Sequence, residues 1–160
     1  MVDLILQIIK LDDKDIKILE VLQKNCKLPI KAIAFKLNLP ITTVYAKIKR
    51  MEELKVIKGY KAILDYGKIG KETLAFILVS VAYRPLSEET LISQREIAEE
   101  ISKFPEVQEV HIISGDWDLL IKARAENVDA IGKFVIDKLR TVKGIQKTLT
   151  CMVFETIKED

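Results

Sequence analysis

One short stretch of the chain is apolar on both sides. Residues 74–82 are apolar except for Ser80, and they are too few to cross a bilayer as a helix, which takes about 20 residues. Successive side chains of a strand point to opposite faces, so this stretch presents two apolar faces. One face carries Leu74, Phe76 and Leu78, and the other carries Ala75, Ile77, Val79 and Val81. We therefore expect a strand that is covered on both sides.

Patterns of hydrophobic residues around this strand predict a small α+β domain. The predicted strands are Thr73–Tyr83, Val107–Ser114, Asp118–Ala125 and Gln146–Glu155, and the predicted helices are Glu88–Phe104 and Val128–Val142. This βαββαβ order is that of the ferredoxin-like sandwich. Its two helices cover only one face of the sheet. The second apolar face therefore predicts a partner, most simply another copy of the chain.

The N-terminal part has helical rather than strand periodicity. Asp12 is placed to cap a first helix, a second helix ends at Asn38, and a third begins near Pro40. Three short helices, the last two joined by about three residues, indicate a helix-turn-helix. A generic three-helix bundle would show the same apolar pattern. Residues 57–65 alternate loosely and predict a strand, so we expect a winged-helix-like domain at 1–63, a linker at 64–72 and the ferredoxin-like domain at 73–160.

Charge and position favour the DNA-binding alternative. Residues 1–63 hold 13 Lys and Arg against 7 Asp and Glu, whereas residues 64–160 hold 13 against 17. A solvated lysine-rich surface would give the same count, but the outer face of the third helix is polar and basic. The candidates for base edges are Ile41, Thr42, Thr43 and Ala46; for bases or phosphates, Lys47 and Lys49; for phosphates, Lys31, Lys36 and Arg50; and for the DNA backbone, Tyr45.

Three segments resemble one known family. The family is that of the leucine-responsive regulator/AsnC (feast/famine) transcription regulators. Its opening helix is similar to LDDKDIKILEVLQ, its linker to VIKGYKAILDYGKIG, and a turn of its C-terminal domain to SGDWDLLIKA. Two residues depart from the family pattern. Asn38 stands in the turn, and Pro40 stands where the family usually has a helix-capping serine. The resemblance implies a sequence-specific regulator that binds double-stranded DNA. It also implies a homodimer through the sheet faces, often a tetramer or octamer, and amino-acid effectors bound between C-terminal domains.

The resemblance also points to Gly115-Asp116-Trp117-Asp118 as part of the effector pocket. In the sequence this segment is a hairpin turn, with Trp117 packing nearby. Gly115 lets a ligand approach the backbone closely, and Asp116 and Asp118 can accept hydrogen bonds from an ammonium group. Thr148 and Thr150, expected on the partner-facing side of the last strand, would add hydroxyls.

Residues suited to catalysis are sparse. The chain has one histidine, His111, and no phosphate-binding glycine loop, and its two cysteines, Cys26 and Cys151, lack metal-ligand spacing. We expect no enzyme activity, cofactor, metal or membrane partner, and a cytoplasmic location, because nothing in the N-terminal stretch is typical of a signal peptide. Two alternatives stay open: an architectural chromatin-like DNA-binding protein without an effector, and an enzyme like the siroheme decarboxylases, which are similar to this family in architecture.

Overall fold

The computed structural model describes residues 10–82 and 93–159. These residues form two compact units, one ending at Ala62 and the other beginning at Ile63. Segment 64–72, predicted as a linker, lies in the second unit. The first unit contains helices α1 (Asp13–Lys24), α2 (Ile30–Leu37) and α3 (Ile41–Glu53). The second contains strands β1 (Thr73–Val81), β2 (Val107–Ile112), β3 (Leu119–Ala125) and β4 (Ile145–Met152), with helices α4 (Gln94–Ile101) and α5 (Val128–Lys133).

Local capping residues set the helix ends in the first unit. The Asp12 side chain accepts a hydrogen bond from the Asp15 amide, and the Asp15 side chain accepts one from the Asp12 amide, both at 2.9 Å. This capping box confirms the predicted start of α1. Asn38 ends α2 in the left-handed conformation, with φ 53°, as predicted. Pro40, expected as the first residue of α3, instead lies just before it.

The three helices pack around a shared apolar core. Ile18 of α1, Ile33 of α2 and Val44 of α3 are almost completely buried, and so is Met51 near the end of α3. Burial of each such side chain contributes about 1.5–3 kcal/mol to folding. The small side chain of Ala34 belongs to the same core, where α2 and α3 meet. Packing therefore holds α3 by one side and leaves its opposite side exposed.

The predicted strand at 57–65 is wrong. The amides of Val56 and Ile57 donate to the carbonyl of Met51, so this end of the segment folds back onto α3. Lys55 makes that bend with a φ of 57°. A strand needs a neighbouring strand to bond its backbone, and no described residue pairs with 57–65 in a sheet. The alternation of apolar and polar residues in the sequence does not show whether such a neighbouring strand exists.

The second unit has the predicted ferredoxin-like arrangement. Its strands lie in the order β2-β3-β1-β4, and every neighbouring pair is antiparallel. Helix α5 continues through a wider π-helical turn at Phe134–Lys138 and a 3-10 turn at Leu139–Thr141. The predicted helix start at Glu88 and strand end at Tyr83 fall outside the described residues. The α+β fold class predicted from the sequence is confirmed.

Helices cover one face of this sheet and leave the other open. Ile77, Val79, Leu119 and Ile121 point to the covered face and are fully buried against residues of α4 and α5. On the other face, which we call the open face, Phe76 and Leu78 of β1 are half-buried, and Leu149 of β4 is 45% exposed. The two-sided apolar character of β1 thus corresponds to one covered and one uncovered face.

Candidate nucleic-acid and effector sites

Helix α3 presents a mixed apolar and polar surface to solvent. Its exposed side carries five of the residues predicted to contact DNA: Ile41, Thr42, Tyr45, Ala46 and Lys49. Thr43 is half-buried at the edge of this surface, and Lys31 and Lys36 are exposed on α2. Lys49 has 60% of its side chain exposed and only a long contact, 3.9 Å, with Glu53. The structure therefore keeps most of the predicted set accessible on neighbouring helices.

Lys47 is turned away from this surface. Its ammonium donates to the Asp12 carboxylate at 2.6 Å and to the Asp15 carboxylate at 3.0 Å, and only 16% of the side chain is exposed. Arg50 is intermediate: its guanidinium lies 3.5 Å from Asp15 and 3.4 Å from the Lys10 carbonyl, with 47% of the side chain exposed. We call Asp12, Asp15, Lys47 and Arg50 the α1–α3 ion cluster.

Sequence reasoning singled out Asp12 as a cap but missed Asp15 and its partner. The capping-box spacing could have revealed Asp15, because it places a second carboxylate three residues after the first. The hydrogen bond from Lys47 lowers the pKa of Asp12 to about 2, and the same contact raises the pKa of Lys47. Asp12 and Lys47 are therefore both charged at neutral pH.

The predicted effector turn is shaped by Gly115 and Asp118. Gly115 has a φ of 117°, a conformation that L side chains rarely adopt. The Asp118 carboxylate accepts hydrogen bonds from the Val81 amide at 2.7 Å and from the Gln94 side chain at 2.8 Å. It thereby ties the end of β1 to the start of α4. Asp116 is exposed.

Trp117 lies half-buried in the same turn. The ammonium of Lys147, from β4, lies 5.2 Å from the centre of its indole ring, within the range of a cation–π contact. The turn thus combines an indole, an exposed carboxylate and a backbone approachable at Gly115. These groups suit a small ligand that carries an ammonium group.

The expected orientation of Thr148 and Thr150 is wrong. They pair with Val79 and Ile77, whose side chains point to the helix-covered face, and paired residues of adjacent strands share a face. The Thr148 hydroxyl accepts a hydrogen bond from Arg140 of the covering segment at 3.0 Å. Leu149 and Cys151 occupy the open face instead. Because β4 has apolar residues on both faces, alternation alone misassigned its two sides.

The open face also carries a charged cluster. Arg124 of β3 is 6% exposed, donates to Glu159 at 2.6 Å and stacks 4.1 Å from the centre of the Tyr66 ring. Lys122 bonds the same carboxylate, and this contact is the main cause that lowers the pKa of Glu159. His111, the single histidine, is exposed beside Glu109 on β2. Ion pairs thus hold the chain after β4 against this face.

Across residues 10–82 and 93–159, no group of three or more His, Cys, Asp or Glu side chains is placed to hold a metal ion. Within the same ranges, no helix has both the length and the apolar character needed to cross a membrane.

Family models match both units. The model of the Lrp/AsnC ligand binding domain matches residues 74–160, and that of a winged helix-turn-helix DNA-binding domain matches residues 11–58. The chain belongs to the Lrp/AsnC family. It is 43% identical over 150 residues to an uncharacterized HTH-type transcriptional regulator of Pyrococcus furiosus, across 94% of this chain and 97% of that protein. The HTH-type transcriptional regulator FL11 of the same organism is 35% identical, across 93% of each chain.

Solved structures agree with this membership. A transcriptional regulator of Neisseria meningitidis, crystallised as a complex with L-methionine, has a TM-score of 0.84 and 29% identity, across 94% of each chain. An AsnC family regulator of Agrobacterium tumefaciens has a TM-score of 0.83 and 28% identity, across 93% of this chain and 94% of that one. This Lrp/AsnC protein is a transcriptional regulator with a DNA-binding helix-turn-helix domain and a ligand-binding domain.

The α1–α3 ion cluster generates a pH prediction. Asp12→Asn keeps the N-cap oxygen but removes the charge, so it should lower the free energy of unfolding at neutral pH. Folding lowers the pKa of Asp12, so the contribution of its charge to stability is present above pH 3.8 and is lost as the pH falls towards about 2. Urea unfolding at fixed protein concentration should show the gap in the free energy of unfolding between wild type and variant closing over that pH range. In a Lys47→Met background most of this pH dependence should disappear; a gap that is constant down to pH 2 would contradict the assignment.

Proposed function

We propose that this protein is a sequence-specific DNA-binding regulator that works as a homodimer and responds to an amino acid. The observation that carries the proposal is the accessible surface of α3 in a packed helix-turn-helix. Thr42 and Ala46 stand where a recognition helix reads base edges, while Lys31 and Lys36 on α2 supply charge for phosphates. Arg50, half exposed, adds a further phosphate contact. The protein would meet its DNA in the cytoplasm.

The open face supports the dimer. Leu149 of β4 is 45% exposed on this face, and Phe76 and Leu78 of β1 are only half-buried there. A second copy that packs its own open face against this one would remove these side chains from water, and a two-fold axis makes the contact self-complementary. Larger assemblies, tetramers or octamers, would be built from such dimers.

The turn at residues 115–118 supports the effector. The Asp118 carboxylate accepts hydrogen bonds from the Val81 amide and the Gln94 side chain, and so holds the turn in place beside the end of β1. Asp116 offers a free approach from solvent, and Gly115 leaves the backbone uncovered. The Neisseria regulator bound to L-methionine supports an amino acid as the ligand class. Thr148 and Thr150 point to the helices and are not included.

Two variants separate base reading from charge. Thr42→Ala should weaken binding to a duplex selected by the wild-type protein, by about 1–3 kcal/mol if it removes a good base contact, and leave binding to random DNA unchanged. Lys36→Met should weaken both and make log K less steep in log salt, because fewer counterions are released. Fluorescence anisotropy across a salt series measures both effects. An unchanged ratio of specific to random binding in Thr42→Ala would refute base reading at that residue, and a wild type without sequence preference would support the architectural alternative.

Dimerisation through the open face predicts a charge-sensitive interface. Leu149→Glu should give monomers at micromolar concentration in sedimentation equilibrium, because a partner would have to bury the new carboxylate unpaired. Val128→Glu is the matched control: Val128 is 62% exposed in the first turn of α5, where an acidic residue suits the helix dipole. A Leu149→Glu protein that remains dimeric would exclude this face as the interface.

An amino-acid effector should stabilise the native protein. In a thermal-shift screen of the twenty amino acids, with L-methionine as the first probe, at least one should raise the melting temperature. Asp116→Asn should then weaken its binding in calorimetry by about 1.5–3 kcal/mol, the scale of a hydrogen bond to a charged group. Asp129→Asn, an exposed carboxylate at the start of α5, is the control and should bind normally. No shift with any amino acid would refute the effector, and unchanged affinity in Asp116→Asn would move the site elsewhere.

A further inference from the structure

The first turn of α1 contains a fully buried carboxylate. Asp15 is 0% exposed, and one of its oxygens accepts the Asp12 amide. Its other oxygen accepts the ammonium of Lys47 at 3.0 Å, and the Arg50 guanidinium lies farther away, at 3.5 Å. A charge buried in this way is tolerated only when a partner of opposite sign compensates it. Lys47 is the closest cation that does so.

The Lys47 side chain is correspondingly held by contacts within the protein. Two of its three ammonium hydrogens are directed to Asp12 and Asp15, which precede it by 35 and 32 residues. If Lys47 left to bind a phosphate, the longer contact with Arg50 would be the only ion pair that Asp15 keeps among the described residues. Lys49, two residues later, has no comparable partner in the described part of the chain, and 60% of its side chain is exposed. The two lysines, equivalent by charge in the sequence, therefore occupy different environments.

The position of Lys47 on α3 allows this ion pair to influence how the exposed surface of the helix is oriented. Lys47 follows Thr43 by one helical turn, so both lie on the same side of the helix, next to the exposed residues Thr42 and Ala46. The bond from Lys47 to α1 restrains the rotation of α3 about its own axis. Base contacts require placement within about 0.5 Å, whereas attraction to phosphates tolerates larger shifts.

We propose that Asp15 and Lys47 are positioning residues for DNA recognition: their ion pair holds α3 at the rotation in which its first turns meet base edges. Lys47 itself makes no contact with DNA. The inference rests on the proposed function, in which α3 reads DNA sequence. Removing the pair should therefore reduce discrimination between sequences and leave the electrostatic component of binding intact.

The test compares three full-length variants on two DNA duplexes across a salt series. One duplex is selected from a random library by the wild-type protein, and the other has random sequence. Lys49→Met should weaken both and reduce the salt slope by about one per protomer. Lys47→Met should keep the wild-type slope but lose roughly tenfold in the ratio of specific to random affinity, the discrimination carried by one base contact. Lys47→Arg keeps the charge and should keep the ratio.

Thermal unfolding of each variant shows whether it is folded under the binding conditions. A loss of folded protein lowers binding to both duplexes equally, so it does not change the ratio. If Lys47→Met does not fold, the double variant Asp15→Asn/Lys47→Met removes both charges, leaves no buried ion unpaired and should show the same lowered ratio.

A Lys47→Met or double variant that keeps the wild-type ratio, or that flattens the salt slope as Lys49→Met does, would overturn the proposal. If the wild-type protein shows no sequence preference at all, the proposed function fails, and this inference fails with it.

Discussion

The architecture depends on the fact that a four-stranded sheet with two helices has one covered face and one uncovered face. Strand β1 is apolar on both faces, and α4 and α5 bury only the side that carries Ile77 and Val79. The hydrophobic effect therefore acts on the remaining face as well, where Leu149 still meets water. In the proposed dimer a second copy would cover that face, and the two-fold symmetry would supply the two copies of α3 that two half-sites on DNA require.

In the helix-turn-helix unit, electrostatics acts on top of core packing. Packing of Val44 and Met51 holds α3 against the core, and this contact is apolar and has little direction. The ion pair between Lys47 and Asp15 adds direction, because a hydrogen-bonded charge pair has a defined geometry. On this account a residue predicted to touch DNA influences recognition from inside the protein.

Most local features were predictable because their causes lie within a few residues. The cap at Asp12 and the left-handed turn at Asn38 depend on neighbours three or four residues away. The partner of Lys47 lies more than 30 residues earlier, so helical periodicity could not reveal it. The faces of β4 depend on its register with β1, which shifts between Ser80 and Val81. The strand expected at 57–65 failed because a strand depends on a partner that no local pattern supplies.

The central claim is that a two-fold dimer reads DNA sequence through α3. Selection of binding sites from a random duplex library with the full-length protein, followed by sequencing, tests it most directly. The account predicts enrichment of an inverted repeat whose half-sites are separated by about one helical turn or a multiple of it. Retention of DNA with no enriched sequence, at an affinity that depends steeply on salt, would contradict it.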